Sequence, residues 1–216
     1  MRVILFGATG MVGQGVLREC LLDPEVTDVL AVGRTPTGVT DPKLHEIVRK
    51  DLFDLAPVAD EFAGYDACLF CLGVSSVGMN EETYRRITYD LTLAVARTMA
   101  ERRPGMRFLY ISGAGTDESG RLMWARVKGA TESALLRLDL DAYMFRPGFI
   151  QPMDRVKSKT RLYRAAYAVS RPLYPLLRRV GPKFVTSSRV LGRAMIAVAA
   201  RGTDKRVLES ADINAI

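Results

Sequence analysis

The stretch Gly7-Ala8-Thr9-Gly10-Met11-Val12-Gly13 follows directly on the apolar run Val3-Ile4-Leu5-Phe6. A strand that runs into a glycine-rich turn and then a helix is suited to holding a pyrophosphate. The helix N-terminus offers unpaired N–H groups and partial positive charge to an anion. In that reading Gly7 permits the tight turn and Gly10 lets the backbone approach the phosphates. Gly13 removes a side chain where the helix crosses the sheet, and Thr9, Met11 and Val12 complete the loop around the anion. Glycines at this spacing also make ordinary turns. Here the strand before them and the helical apolar pattern after them (Val12, Val16, Leu17, Cys20, Leu21) supply the context that phosphate binding needs.

Residues at later strand tips extend the pattern. An acid about twenty residues past the glycines would bind the ribose hydroxyls of NAD. Here Val29-Leu30-Ala31-Val32 ends in Gly33-Arg34-Thr35, with no carboxylate at the tip. The planar fork of Arg34 suits a 2′-phosphate, so NADP(H) is favoured over NAD(H); the bland alternative is a solvated surface arginine. Asp51-Leu52 follows a third apolar run. Its carboxylate either accepts a hydrogen bond from an adenine amino group or caps the next segment. Cys71-Leu72-Gly73 closes a fourth run, where a small residue lets backbone pass close to ribose and nicotinamide.

Composition narrows the remaining chemistry. His45 is the only histidine, which leaves little for a histidine-based triad or a multi-histidine metal site, and no metal is expected. Cys68 and Cys71 have C-x-x-C spacing, yet an odd separation on a strand points them to opposite faces. Three sparse cysteines fit a reducing compartment. No apolar run is long enough to span a bilayer, and the start reads as a strand rather than a signal peptide, so a cytoplasmic chain is expected. The net charge of +7 is uneven. From Arg155 bases recur through Lys157, Arg164, Arg179 and Arg193, with no acid until Asp204.

The elements that must position these residues alternate. Strands are expected at Val3–Phe6, Asp28–Val32, Glu46–Arg49, Ala67–Leu72, Arg107–Ile111 and Ala142–Phe145. Helices are expected around Val12–Leu22, Pro57–Phe62, Glu82–Arg102 and Leu122–Leu138. Such alternation indicates an α/β protein, a doubly wound parallel sheet with helices on both faces. All 216 residues read as one domain. Residues 149–185 form a basic segment placed to cover the crevice beyond the strand tips. After it, Thr186-Ser187-Ser188 offers an N-cap to a helix with Val190, Leu191, Ala194, Met195 and Val198 on one face.

Taken together, Gly7-x-x-Gly10-x-x-Gly13, Asp51-Leu52, Cys71-Leu72-Gly73, Ser112, Lys128 and Arg146-Pro147-Gly148 resemble the short-chain dehydrogenase/reductase superfamily. The likeness is to its atypical and extended branch, which includes epimerase/dehydratase-like proteins, nitrogen-metabolite-repression regulators and the Tat-interacting-protein group. The resemblance implies a Rossmann fold with a nicotinamide cofactor across the strand tips, Pro147 beside it, and substrate under the C-terminal segment. It further implies a Ser or Thr that orients substrate, a Tyr that passes a proton, and a Lys four residues on that holds the ribose. Lys128 fits the Lys position. Trp124 stands where the Tyr is expected, and an indole N–H is no phenolic acid or base. Ser112 is either the substrate-orienting hydroxyl or, one or two places early, a cofactor or cap residue. Tyr84, Tyr89, Tyr163 and Tyr167 are other hydroxyls near the crevice, each equally readable as a packed aromatic.

The expected function is an NADP(H)-binding oxidoreductase or epimerase-like enzyme acting on an unidentified small molecule, as a monomer or homodimer. The alternative is a non-catalytic NADP(H)-binding sensor or regulator. The basic tail suggests peripheral membrane contact as a further possibility, and no nucleic-acid partner is expected.

Overall fold

Alternate residues of the first strand, β1 (Arg2–Phe6), serve opposite sides of one sheet. Val3 and Leu5 enter one core, Ile4 and Phe6 the other, and all four are fully buried. The computed structural model describes residues 1–153 and 184–216. β1 leads into α1 (Met11–Leu22), β2 (Asp28–Gly33), β3 (Leu44–Val48), a 3-10 turn (Ala56–Phe62) and β4 (Ala67–Phe70). Then come α2 (Glu81–Arg85), a π-turn (Arg86–Asp90), α3 (Leu91–Arg102), β5 (Arg107–Ile111), α4 (Met123–Leu135) and β6 (Asp141–Arg146). Two short strands, β7 (Phe149–Gln151) and β8 (Val185–Ser187), precede α5 (Ser188–Arg201), β9 (Val207–Glu209) and α6 (Ser210–Ala215).

The main sheet has seven strands in the order β3-β2-β1-β4-β5-β6-β9, every pair parallel. The order reverses between β1 and β4, which opens the ligand crevice of a doubly wound sheet at their carboxyl ends. One face carries the 3-10 turn and α3 and α4, through Phe62, Val95, Met99 and Leu135. The other carries α1 and α5, through Val16, Cys20, Leu191, Met195 and Val198. Across β1, β4 and β5, Phe70 lies tilted against Phe6 and stacked on Phe108, with centroids 5.7 Å apart in each pair. The expected α/β Rossmann architecture is thus present.

Several details differ from expectation. The helix expected over Glu82–Arg102 is interrupted by the π-turn, where Thr92 Oγ1 donates to the carbonyl of Thr88 at 2.6 Å. One extra residue in a turn scarcely alters an apolar helical pattern, so it left no periodic signature. The strand expected to reach Leu72 ends at Phe70, because the next residues turn beneath the glycine loop. β9 was not expected. It pairs with Met144–Arg146 over three residues, too few to show a period.

Cys68 and Cys71 do face opposite cores. Ser187 caps α5, its hydroxyl accepting the Val190 N–H at 3.2 Å. β7 and β8 form a parallel pair at the two ends of the expected covering segment. Residues 154–183 of that segment, with its basic run and Tyr163 and Tyr167, lie outside the described residues. Among the described residues no helix is long and apolar enough to cross a membrane.

Candidate cofactor-binding site

The glycine loop is shaped by contacts that leave no room for side chains. Gly7 has φ +82°, and a β-carbon there would stand 2.6 Å from the Leu72 nitrogen and 2.7 Å from the Cys71 carbonyl carbon. The turn after β1 is therefore pressed onto the chain leaving β4, which brings Gly7, Cys71 and Leu72 together. A β-carbon on Gly13 would lie 2.0 Å from the Gly7 oxygen, so the first turn of α1 sits directly on that peptide. Gly10 differs. Its N–H donates to the Gly7 carbonyl at 2.9 Å, and a β-carbon would meet only that oxygen, at 3.2 Å.

Gly10 is also the N-cap of α1, with extended backbone and no side-chain cap; no acid stands in the first turn. The N–H groups of Met11, Val12 and Gly13 thus open the helix without a capping side chain, as a phosphate site requires. Gln14, which the motif does not include, donates to the Thr9 carbonyl at 3.0 Å and braces the loop. At the next tip a β-carbon on Gly73 would enter open space, so packing does not require glycine there. The residues present fit a bound dinucleotide.

At the tip of β2, Arg34 and Thr35 are exposed, and among the described residues the Arg34 side chain forms no ion pair or hydrogen bond. Asp51 Oδ1 accepts the Phe53 N–H at 2.8 Å in a local turn, and the 3-10 turn that follows has Leu55 at its N-cap with no capping side chain, so Asp51 does not cap that segment. Leu52 is buried in the core rather than facing the crevice.

The expected catalytic positions lie on α4 and the loop before it. Lys128 Nζ donates to the Ile111 carbonyl at 3.1 Å, and sits 5.1 Å from the centroid of the Tyr110 ring. Removal from water pushes its amine down to about 8, partly opposed by the Glu132 carboxylate one turn on. Glu132 is itself buried and holds Arg146 in a fork at 3.0 and 2.5 Å, which ties α4 to the tip of β6. Beyond it the Pro147 carbonyl accepts the Ala114 N–H at 3.0 Å, so Pro147 lies beside the loop after β5.

Trp124 occupies the position one turn before Lys128. The edge of its indole lies along the loop after β5, 3.9 Å from a β-carbon built on Gly113 and 3.7 Å from one built on Gly115. Ser112 is buried, 3.0 Å from Thr116 Oγ1. The single Thr116 proton goes to the Gly113 carbonyl at 2.7 Å, so Ser112 is the donor of the pair. Its proton is committed inside the loop, and the sequence carried no signal for this partner. Tyr84 is buried and burial raises its hydroxyl; Tyr89 packs under the Arg85 guanidinium, 4.1 Å from its centroid.

Comparison with known proteins agrees with this geometry. A family model described as NAD(P)H-binding matches residues 7–169. The chain is 30% identical over 163 residues to the protein named fmp52, mitochondrial, of Emericella nidulans, covering 68% of this chain and 66% of that one. Among solved structures, yeast methylglyoxal/isovaleraldehyde reductase Gre2 with NADPH superposes with a TM-score of 0.71 at 14% identity, over 96% of this chain and 77% of that one. The Bordetella bronchiseptica enzyme WbmH with NAD+ superposes with a TM-score of 0.67 at 16% identity, over 96% and 74%. These likenesses show the fold. The expected cytoplasmic location is overturned, because fmp52 relatives are named mitochondrial. Free cysteines and the absence of a spanning run suit any reducing aqueous compartment, so composition did not discriminate.

Two outcomes follow from the contacts. Gly10→Val abolishes nucleotide binding with the smaller loss of stability, whereas Gly13→Val lowers the melting temperature further, because the Gly13 β-carbon would stand 2.0 Å from the Gly7 oxygen and the Gly10 one 3.2 Å; calorimetry and thermal melting on both variants check this. Below about pH 8 the Lys128 amine is charged, and above it the folded chain releases that proton before an exposed lysine would. On the ribose-holding role that the resemblance implies for Lys128, cofactor affinity declines as pH rises through about 8, and Lys128→Met makes titrations between about pH 6.5 and 9.5 flat.

Proposed function

The chain belongs to the NAD(P)H-binding family, and from this premise we propose that it is an NADP(H)-dependent, short-chain dehydrogenase/reductase-like oxidoreductase or epimerase acting on a small molecule. The observation that carries the choice of cofactor is Arg34, exposed and unpaired among the described residues at the tip of β2, with no carboxylate beside it to repel a 2′-phosphate. Bound nicotinamide supplies or accepts hydride. The chain's own part is to cradle the pyrophosphate on Gly7, Thr9, Gly10, Met11, Val12 and Gly13 and to hold the ribose through the Lys128 amine. Gly73 leaves space for the nicotinamide end, and Pro147 borders it. Asp51 keeps one carboxylate oxygen for an adenine amino group.

A second reading is a cofactor-binding sensor without turnover. Trp124 and Ser112 favour it. The indole cannot exchange a proton at biological pH, and the Ser112 proton is held by Thr116. In the enzyme reading, the proton that balances hydride transfer comes from water or from the substrate.

NADPH binds more tightly than NADH, by about tenfold or more, and Arg34→Ala brings the two affinities together. Equal affinities in the unmodified protein would overturn the NADP(H) assignment. Trp124→Tyr restores a phenol one turn before Lys128, and on the enzyme reading raises NADPH-dependent reduction of a generic carbonyl by about a hundredfold. Unchanged turnover in a variant that still binds NADPH favours the sensor.

A further inference from the structure

The ladder between β2 and β3 continues one residue beyond their paired ends. Gly33 is in register with Val48, and the Arg49 N–H then donates to the Gly33 carbonyl at 2.9 Å. Arg34 and Arg49 therefore leave neighbouring strand tips side by side. Val32 and Ile47 belong to the same core, and alternation along each strand gives Arg34 and Arg49 that same face. Lys50 follows immediately in the chain.

Two like charges at adjacent tips repel, and acids near them would ordinarily relieve this. None does. Asp51 Oδ1 accepts the Phe53 N–H at 2.8 Å, Asp54 Oδ1 the Ala56 N–H at 3.1 Å, and Glu46 Oε1 the Thr37 N–H at 2.7 Å. Among the described residues neither arginine is in an ion pair. Arg49 is also the more constrained of the two, since its Nε is sheltered from solvent and has no hydrogen-bond partner. A sheltered donor without an acceptor destabilises a fold unless a ligand supplies one.

We infer that Arg49 is the second arm of a phosphate clamp closed by Arg34, taking a phosphomonoester on the adenosine ribose of the cofactor. Selectivity for the phosphorylated dinucleotide is then set by two strand tips rather than one. A guanidinium suits this role because its fork makes paired, directional hydrogen bonds to phosphate oxygens. The inference rests on the NADP(H) reading, and the following experiment separates the two.

Dissociation constants for NADPH, NADH, adenosine 2′,5′-bisphosphate and 5′-AMP are measured by calorimetry on the unmodified protein, Arg34→Ala, Arg49→Ala and Arg49→Lys, with melting temperatures taken without ligand. Arg49→Ala weakens NADPH and the bisphosphate by about tenfold or more and leaves NADH and 5′-AMP within about twofold. Arg49→Lys recovers part of the loss. The ligand-free melting temperature of Arg49→Ala stays level or rises, because one of two repelling charges is gone. If Arg34→Ala weakens NADPH and Arg49→Ala does not, the Arg49 inference is overturned while the NADP(H) reading stands. A drop in melting temperature with equal weakening of all four ligands assigns Arg49 a structural role and also overturns it. Equal affinity of the unmodified protein for NADPH and NADH overturns the NADP(H) reading, and the clamp with it.

Discussion

Backbone atoms of Gly7, Gly13 and the Cys71–Leu72 peptide approach one another too closely for any side chain to come between them. That three-way contact sets the rest of the site. It seats the first turn of α1 on the end of β1 and aims its open N–H groups at the gap between β1 and β4. It also fixes where the chain leaving β4 must pass, which leaves open space at Gly73. The other end of the contact is held from outside the motif. A β-carbon on Gly15 would lie 2.6 Å from Ser188 Cβ, so α5 is clamped against α1. Buried Glu19 then joins the two helices by accepting from Arg193 Nε at 2.9 Å. An ion pair so placed contributes position more surely than stability, since desolvation offsets much of its attraction.

The catalytic side is built with the same rigidity but different contents. Glu132 and Arg146 lock α4 to β6, and through α4 they hold Lys128 at the end of β5. The carboxylate also partly opposes the fall that burial imposes on the nearby amine. Beside this cation, where a proton donor would stand, lies an indole packed along a glycine turn. The arrangement keeps what holds a cofactor and lacks the usual means of moving a proton.

Much of this was legible from residue order. Short β-rich apolar runs marked the strands of the main sheet except β9, because strands buried on both faces need continuous apolar sequence. The spacing of Gly7, Gly10 and Gly13 marked the cradle, and odd spacing separated Cys68 from Cys71. The π-turn was hidden because it preserves the apolar face on either side. β9 was hidden by its length. Ser112 read as a substrate-orienting hydroxyl or as a cofactor or cap residue, because its partner Thr116 is recruited by a loop conformation. Arg49 read as the end of a strand, since nothing along the chain connects it with Arg34.

The sequence by itself determined the fold class, the phosphate-binding loop and the replacement of a phenol by Trp124. Those depend on residue type and on spacing within one or two elements. Only the tertiary structure decided which hydroxyl keeps its proton, how Glu132 acts on Lys128, and that two arginines fifteen positions apart stand at neighbouring tips, neither in an ion pair among the described residues. Parallel strands pair across crossovers rather than through hairpins. The neighbours at their tips are therefore set by sheet order, which no local pattern encodes.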